Sequence, residues 1–197
     1  MSSESLPVVY SSLLIPHPLS IMIFTETKLP GAYTIDLKKL EDERGFFARA
    51  FCTDDFKKHG LNPVTAQCNL SRSEKKYTLR GFHYQTGDAQ EAKTVRCIRG
   101  RILDVIIDVR KDSPTYCQHV AVELSADNYR SLYVPEGFAH SFITLEDRCE
   151  VYYHVSQLYT PGQEAGIRWN DPQFDIEWPT DQPILSEKDQ HWPDFKP

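Results

Sequence analysis

The chain contains many short β-prone segments separated by turn signals, and this spacing restricts its fold more than any other feature. Pro30-Gly31 lies between the first two segments, and Gly100-Arg101 is predicted to form a hairpin turn between two later ones. Runs rich in β-branched and aromatic residues are predicted as strands at residues 23–27, 33–37, 94–98, 102–109, 119–124, 131–134, 141–145 and 151–155. Closely spaced short strands of this kind are typical of a sandwich or a barrel.

Helical signals are few. The clearest helical stretch covers residues 54–59 and ends before Gly60. No alternation of strands with long helices occurs, and no Gly-x-Gly-x-x-Gly motif opens a helix, so a dinucleotide-binding fold is not predicted. The sequence therefore predicts an all-β sandwich or barrel with a few short helices.

The length of 197 residues suits one domain with a sizeable core. A convincing strand begins at Met22, so residues 1–21 are predicted to be a flexible extension or an upstream start, without the features of a signal peptide. Residues 22–197 are predicted to form the single domain. From Pro161 onward the chain is rich in proline and tryptophan, and this tail is predicted to wrap the barrel.

Charge and cysteine usage narrow the functional class. The net charge of −6 argues against a general nucleic-acid binder, and no apolar run is long enough to predict a membrane span. The five cysteines are odd in number and show no Cys-x-x-Cys spacing, which predicts reduced thiols and a cytoplasmic protein.

The first candidate functional segment is Arg-Gly-Phe-His-Tyr-Gln at residues 80–85. On its own, His83 is either a packed core histidine or a functional one. Arg80 lies three residues before it and Lys93 lies ten residues after it. Because phosphate recognition uses arginine forks and lysine charges, this neighbourhood favours a functional role with a phosphate-bearing ligand.

The second segment runs from Pro135 to Phe142 and resembles the second half of a cupin signature, with His140 on its strand. Metal-binding cupins supply a His-x-His pair from the first half, whereas this chain offers only His83 there. A three-histidine metal site is therefore not predicted. A metal-free His83 would be available as a base near neutral pH.

Two further segments leave alternatives open. Tyr152 and Tyr153 are adjacent on a predicted strand, so they point to opposite faces, and the inward one is either a packing residue or a proton donor. Asp189 lies in a segment that alone is typical of a surface turn. It gains a role only if it folds back to orient a histidine.

These segments together resemble the dTDP-4-dehydrorhamnose 3,5-epimerase family. The resemblance runs from about residue 22 to residue 189. The matching stretches are residues 42–47, 67–69, 79–85, 93–96, 108–115, 135–140, 170–172, 178–179 and 185–189.

The resemblance implies a jelly-roll cupin that acts as a homodimer on a nucleotide-diphosphate sugar, with no metal and no organic cofactor. It implies that His83 is the general base, Tyr153 the general acid and Asp189 the carboxylate that orients the base. The positions that it matches to substrate contacts are Arg44, Phe47, Gln67, Asn69, Arg80, Lys93, His140, Tyr159 and Glu164. Within that set, Phe47 and Tyr159 match the aromatic residues that sandwich the nucleotide base.

The expected reaction is proton transfer next to a ketone. Protons at C3 and C5 of a 4-keto-6-deoxy sugar are acidified by the C4 carbonyl, so a neutral imidazole can remove one of them. A tyrosine on the opposite face can return a proton and thereby invert the carbon. The enolate between these steps needs a cation or a donor, for which Lys93 and His140 are candidates.

Two departures from the family pattern concern the nucleotide base. Arg49 stands where the family has a glutamate, and Cys68 stands where an aspartate is common. Arginine has only donors, so it cannot accept a hydrogen bond from the N3–H group of thymine. One hypothesis is therefore that Arg49 reads a cytidine or guanosine nucleotide, and the other is that it points to solvent.

Two rival functions are weighed against epimerisation. A metal-dependent cupin enzyme conflicts with the missing His-x-His pair. A sugar-nucleotide-binding protein without catalysis conflicts with the presence of His83, Tyr153 and Asp189 together. The sequence therefore favours an epimerase.

Overall fold

The structure, a computed structural model, describes residues 22–197, and the predicted extension at residues 1–21 lies outside the described residues. Two antiparallel sheets face each other. The first sheet contains β1 Met22–Glu26, β2 Tyr33–Leu37, β5 Gln67–Ser73, β7 Lys93–Arg99, β10 Ser131–Val134 and β12 Cys149–Val155. The second contains β6 Leu79–Gln85, β8 Arg101–Asp108, β9 His119–Ser125, β11 Phe138–Thr144 and β13 Glu164–Gly166.

Strand order explains how the two sheets are connected. The six-stranded sheet has the order β1-β2-β10-β7-β12-β5, and the five-stranded sheet has the order β13-β6-β11-β8-β9. From β5 to β8, and again from β10 to β13, successive strands alternate between the sheets, as in a jelly roll. The prediction of an all-β fold is confirmed.

The remaining elements are small. A hairpin of β3 Leu40–Asp42 and β4 Gly45–Phe47 stands apart from both sheets. The predicted helix is confirmed as α1 Thr53–Lys58, and a second short helix, α2, covers Glu187–Gln190. Among residues 22–197, no helix has the length and apolar character needed to cross a membrane.

The predicted hairpin at Gly100 is wrong. β7 and β8 follow each other along the chain but belong to different sheets, so the turn carries the chain across the sandwich. Gly100 has a φ of +74°, and a Cβ atom there would lie 2.7 Å from the Sγ atom of Cys149. The sharp bend thus uses a backbone conformation and a space that only glycine provides.

β5 is absent from the predicted strands because its inward face is polar. A strand in the core normally carries apolar residues on that face. Gln67, Asn69 and Ser71 share one face of the strand, and Asn69 lies opposite Tyr153 of β12. That face points between the sheets. The polar alternation of β5 therefore marks the part of the interior that forms a cavity.

Three hydrophobic clusters hold the layers together. The main core between the sheets includes Val95, Ile106, Leu132 and Val151. A second cluster packs α1, through Phe56, on the outer side of the six-stranded sheet. The third covers the outer side of the five-stranded sheet with five residues of the tail, which are Ile167, Phe174, Ile176, Trp178 and Phe195. This packing leads the tail back toward β6, where α2 lies.

Candidate active site

A cavity of about 280 Å³ opens between the two sheets. Its walls carry charged and titratable side chains from both layers. The lining residues are Ser71, Arg80, His83, Lys93, His140, Phe142, Tyr153, Ser186, Lys188 and Asp189. Most of the sequence-predicted catalytic and phosphate-binding residues therefore meet in one place.

The histidines and the tyrosine enter the cavity from opposite sheets. His83 on β6 lies directly opposite His140 on β11, so the two imidazoles are neighbours in the five-stranded sheet. Tyr153 and Lys93 project from the six-stranded sheet. A flat ligand held between the sheets would thus have imidazole on one face and phenol on the other.

The structure places the two adjacent tyrosines on opposite faces of β12. Tyr153 packs against the core between the sheets, whereas Tyr152 is exposed on the outer face beside Cys68. Burial raises the pKa of Tyr153, the charge of Glu91 raises it further, and Arg80 acts in the opposite direction. Tyr153 is therefore held as a neutral phenol, the form that can donate a proton.

His83 is bound to a buried carboxylate far away in the chain. Its Nε2 atom lies 2.5 Å from Oδ1 of Asp189, whose side chain is only 4% exposed. Burial by itself would raise the pKa of Asp189, but hydrogen bonds from His83, Ser186 and Trp192 outweigh it and lower the pKa below its usual value. Because an ionised Asp189 can only accept, Nε2 carries the hydrogen and Nδ1 of a neutral His83 keeps its lone pair.

The turn before α2 fixes Asp189 for this contact. Ser186 is the N-cap of α2, and its hydroxyl accepts a hydrogen bond from the backbone N–H of Asp189 at 3.1 Å. The same hydroxyl donates to Oδ2 of Asp189 at 2.9 Å. The segment that alone is typical of a surface turn is therefore a short capped helix, and its Asp189 contacts His83.

A second histidine–carboxylate pair lies beside the first. Nε2 of His140 is 3.0 Å from each carboxylate oxygen of Asp104, which is fully buried on β8. The acid lies within an otherwise apolar run at residues 102–107, and a buried carboxylate needs a partner of this kind. Asp104 thus fixes the orientation of the His140 ring.

Three cations line the same cavity. Arg80 donates from Nε to the Ser73 hydroxyl at 3.3 Å and from an Nη atom to the Arg72 carbonyl at 3.1 Å. Nζ of Lys93 lies 3.0 Å from Oε1 of Glu91. Lys188 forms a close ion pair with Glu164. A local positive lining of this kind fits an anionic ligand despite the negative net charge of the chain.

A chain of polar contacts continues from the cavity to its rim. The Tyr159 backbone N–H donates to Oε1 of Gln67 at 3.1 Å, and the Tyr159 hydroxyl donates to Oε2 of Glu164 at 3.2 Å. The hydrogen bond from Lys188 lowers the pKa of Glu164, so this acid is an ionised acceptor. Tyr159 is 57% exposed and is therefore open to a ligand at the rim.

Seven sequence-predicted residues do not line the cavity within one chain. Gln67, Asn69, Tyr159 and Glu164 lie on β5 and at the rim, whereas the other three lie on or after the β3–β4 hairpin. Arg44 and Phe47 lie on the β3–β4 hairpin with exposed side chains, and Arg44 pairs with Asp42 of the same hairpin. Arg49 follows the hairpin. None of the three lines the cavity that contains His83.

Sequence reasoning missed several cavity residues that the structure brings together. Lys188 directly precedes Asp189, so the matched stretch at residues 185–189 already contained it. Asp104, which lies behind the cavity and holds His140, was detectable as a lone acid inside an apolar strand. Ser71, Phe142 and Ser186 carry no chemical signal that separates them from ordinary strand and turn residues.

A larger cavity of about 610 Å³ lies elsewhere, beside Arg110 and Pro114. Its arginine is already engaged, because Arg110 donates to both carboxylate oxygens of Asp108 and to the Pro30 carbonyl. Neither of the paired histidines lies in it. The smaller cavity is therefore the candidate active site.

The comparisons with known proteins agree with one another. A protein-family model described as dTDP-4-dehydrorhamnose 3,5-epimerase matches residues 26–197. The dTDP-4-dehydrorhamnose 3,5-epimerase of Salmonella typhimurium is 44% identical over 171 residues, covering 86% of this chain and 93% of that protein.

Solved structures give the same family. The dTDP-4-dehydrorhamnose 3,5-epimerase of Elizabethkingia anophelis matches with a TM-score of 0.86 and 38% identity, over 89% of this chain and 97% of that one. The enzyme of Bacillus anthracis, solved with TDP and PPi bound, matches with a TM-score of 0.85 and 38% identity, over 88% of this chain and 99% of that one.

The pairing of both histidines with carboxylates generates a prediction about metals. In residues 22–197, no group of three or more His, Cys, Asp or Glu side chains is arranged to hold a metal ion. Each cavity histidine already directs Nε2 to an acid. We expect elemental analysis of the purified protein to find far less than one transition-metal ion per chain. One tightly bound ion per chain, lost in His83→Asn, would contradict this expectation.

Proposed function

Because this chain belongs to the dTDP-4-dehydrorhamnose 3,5-epimerase family, we propose that its cavity inverts C3 and C5 of a nucleotide-linked 4-keto-6-deoxy sugar. The protein is an isomerase. His83 and Tyr153 lie on opposite sheets around one cavity, and this placement supports their assignment as base and acid. Inversion of a carbon requires removal of a proton from one face and delivery to the other.

The substrate class follows from the relatives and from the charges of the cavity. The relatives are named for dTDP sugars, and the Bacillus anthracis enzyme was solved with TDP bound. A cytidine or guanosine substrate read by Arg49 is therefore not favoured. We assign a dTDP-linked sugar to this chain, with its diphosphate near Arg80 and Lys188.

The first step is proton removal by His83. Nδ1 of the neutral imidazole takes the proton from C3 or C5, and the electron pair of the broken C–H bond moves into an enolate at the C4 oxygen. Asp189 accepts the hydrogen of Nε2 throughout and stabilises the imidazolium that forms. The role of Asp189 is therefore to fix the tautomer and the ring orientation.

The enolate oxygen needs donors placed before the charge develops. Lys93 reaches the cavity from β7, and His140 reaches it from β11 with its ring fixed by Asp104. Donors that are already oriented stabilise a developing oxyanion without reorganisation. We assign this task to Lys93 and His140.

The last step is proton return by Tyr153. Its phenol donates to the carbon from the side opposite His83, the C4 ketone re-forms, and solvent restores the proton of the tyrosine. His83 releases the proton that it removed to solvent. Each inversion thus places one solvent hydrogen on the carbon.

The nucleotide is proposed to lie along the rim. Tyr159 offers an exposed ring for stacking, and Gln67 and Asn69 offer amides on the inward face of β5. Glu164 holds both Tyr159 and Lys188, so it connects the rim to the cavity. These contacts come from one chain.

A homodimer is proposed to complete the binding site. The hairpin exposes Leu40, Phe46 and Phe47, and the outer face of the six-stranded sheet exposes Leu70 and Tyr152. Clustered exposed apolar side chains of this kind favour burial against a partner. A second copy would also bring the family-matched hairpin positions, which one chain leaves in solvent, to a cavity.

We expect sedimentation equilibrium to give about twice the 22.7 kDa mass of one chain. The expectation rests on the exposed apolar hairpin. A fully active enzyme that sediments as a monomer at assay concentration would contradict the dimer.

A cytoplasmic location is proposed from the cysteines. All five thiols, at positions 52, 68, 97, 117 and 149, are free. Free thiols are usual where the compartment is reducing.

Two variants test the roles of base and acid in heavy water with dTDP-4-keto-6-deoxyglucose, followed by proton NMR. His83→Asn is expected to lose deuterium incorporation at both C3 and C5 by about 10²-fold or more, because the base is gone. Tyr153→Phe is expected to keep incorporation but to invert poorly, since only the returning proton donor is lost.

Tyr152→Phe serves as the matched control, because it removes the same hydroxyl from the outer face of the same strand. We expect it to behave as the unmodified enzyme. Near-normal exchange in His83→Asn would assign the base to another residue. A normal epimer yield from Tyr153→Phe would remove Tyr153 from the mechanism.

A further inference from the structure

Glu91 is a nearly buried acid that lies just before β7, next to the candidate active site. Its side chain is 12% exposed, and the side chain of its partner Lys93 is 11% exposed. Oε1 of Glu91 lies 3.0 Å from Nζ of Lys93. This pair is the least exposed of the lysine or arginine ion pairs seen in residues 22–197.

The second oxygen of Glu91 is held as firmly as the first. Oε2 accepts a hydrogen bond from Nε2 of Gln85 at 3.0 Å. Gln85 is itself buried at the end of β6, and its Oε1 accepts from the Thr160 backbone N–H at 2.8 Å. The carboxylate is thus fixed at both oxygens, by the lysine on one side and by a buried amide on the other.

We propose that Glu91 is a positioning residue for the epimerisation, one that fixes the Lys93 ammonium in the cavity and sets a negative charge beside Tyr153. The proposal rests on the proposed function of this cavity. It adds a residue that touches neither the sugar nor the reacting carbons and acts through the two groups that do.

The effect on Lys93 follows from the length of the lysine side chain. A lysine has four rotatable side-chain bonds and loses much conformational entropy when it is held in one orientation. Glu91 imposes that order before substrate arrives, so the ammonium already faces the position of the enolate oxygen. A misplacement of about 1 Å in a group of this kind can cost as much as about 100-fold in rate.

The effect on Tyr153 is electrostatic, because the Lys93 partner of Glu91 lies diagonally across from Tyr153 on the neighbouring strand β7. Burial is the largest cause that raises the pKa of Tyr153, and the Glu91 charge raises it further because a nearby anion disfavours phenolate. Arg80 opposes this effect. Removing the charge of Glu91 would lower the pKa of Tyr153 and shorten the pH range in which the phenol can donate.

The other charged groups around Tyr153 remain in place when Glu91 is neutralised. Besides Tyr153 and the Lys93 partner of Glu91, the titratable groups that line the cavity are Arg80, His83, His140, Lys188 and Asp189. Of these, Arg80 also acts on the pKa of Tyr153, and it favours the phenolate. A change at the alkaline side of the pH profile in a Glu91 variant therefore reports the loss of the Glu91 charge.

The test compares three variants of the full-length enzyme with dTDP-4-keto-6-deoxyglucose across pH. Glu91→Gln is isosteric, removes the charge and can still accept from Gln85. Glu91→Asp keeps the charge and shortens the side chain. Glu150→Gln neutralises an acid that pairs with Arg72 and Arg99 on the outer side of β12, away from the cavity.

For Glu91→Gln we expect kcat to fall between about 10-fold and 100-fold with less than about a threefold change in KM, since a positioned donor is lost rather than a binding contact. The alkaline limb of the pH profile of kcat is expected to move to lower pH in this variant. Glu91→Asp is expected to keep the alkaline limb of the unmodified enzyme, and Glu150→Gln to match that enzyme in all respects.

Other results would overturn the proposal. An unmoved alkaline limb in Glu91→Gln, or the same movement in Glu91→Asp, would show that the charge does not act on Tyr153. Failure of Glu91→Gln to fold would show a purely structural role. Absence of epimerisation by the unmodified enzyme would instead reject the proposed function, so the two failures are distinguishable.

Discussion

The alternation of side chains along a β-strand is the constraint on which this site depends. In each strand every second residue points between the sheets, so a shift of one position would exchange Tyr153 for Tyr152 and turn the phenol to the outer face. The same rule places Lys93, Asn69 and Ser71 inward from neighbouring strands. Because the two sheets face each other, residues from unrelated parts of the chain meet on opposite sides of one cavity.

Pairing with acids fixes the orientation of the histidine and lysine side chains in the cavity. Each histidine is held by an acid that has little contact with solvent, and each lysine of the cavity is paired with a glutamate. Buried or half-buried charges are stable only with such partners, so folding itself selects one arrangement of the ring nitrogens and ammonium groups. The tail contributes directly, because its packing over the five-stranded sheet brings Asp189 back to His83 over a separation of 106 residues.

Local sequence patterns predicted the elements better than their connections. Each of the eight predicted strands overlaps a strand of the structure, with ends shifted by a few residues, because apolar alternation reports burial directly. The turn at Gly100 was misassigned because a glycine turn has the same local sequence pattern in two cases. The two strands that it joins can pair with each other, or they can belong to different sheets. β5 was overlooked because its inward face is polar, which is a consequence of function rather than of folding.

In the candidate site, too, local motifs were predictable from the sequence and long-range contacts were not. His83, Tyr153 and Asp189 were accessible through motifs, whereas the Asp104–His140 pair and the Glu91–Lys93 pair depend on contacts that spacing alone does not reveal. Glu91 lies two residues before Lys93, a separation that by itself indicates nothing. Arg44 and Phe47 match family positions, yet their hairpin faces solvent within one chain. Sequence similarity alone does not state which residues come together in space.

His83 and Tyr153 are proposed to act on opposite faces of the sugar ring, and the other assigned roles depend on this placement. A crystal structure of the enzyme with a dTDP-linked, non-reacting 6-deoxy sugar tests it most directly. We expect Nδ1 of His83 and the hydroxyl of Tyr153 to lie on opposite sides of the ring, each within about 3.5 Å of C3 or C5, as a near-attack geometry requires. A ring bound with both groups on the same face, or bound outside the cavity between the sheets, would contradict the claim.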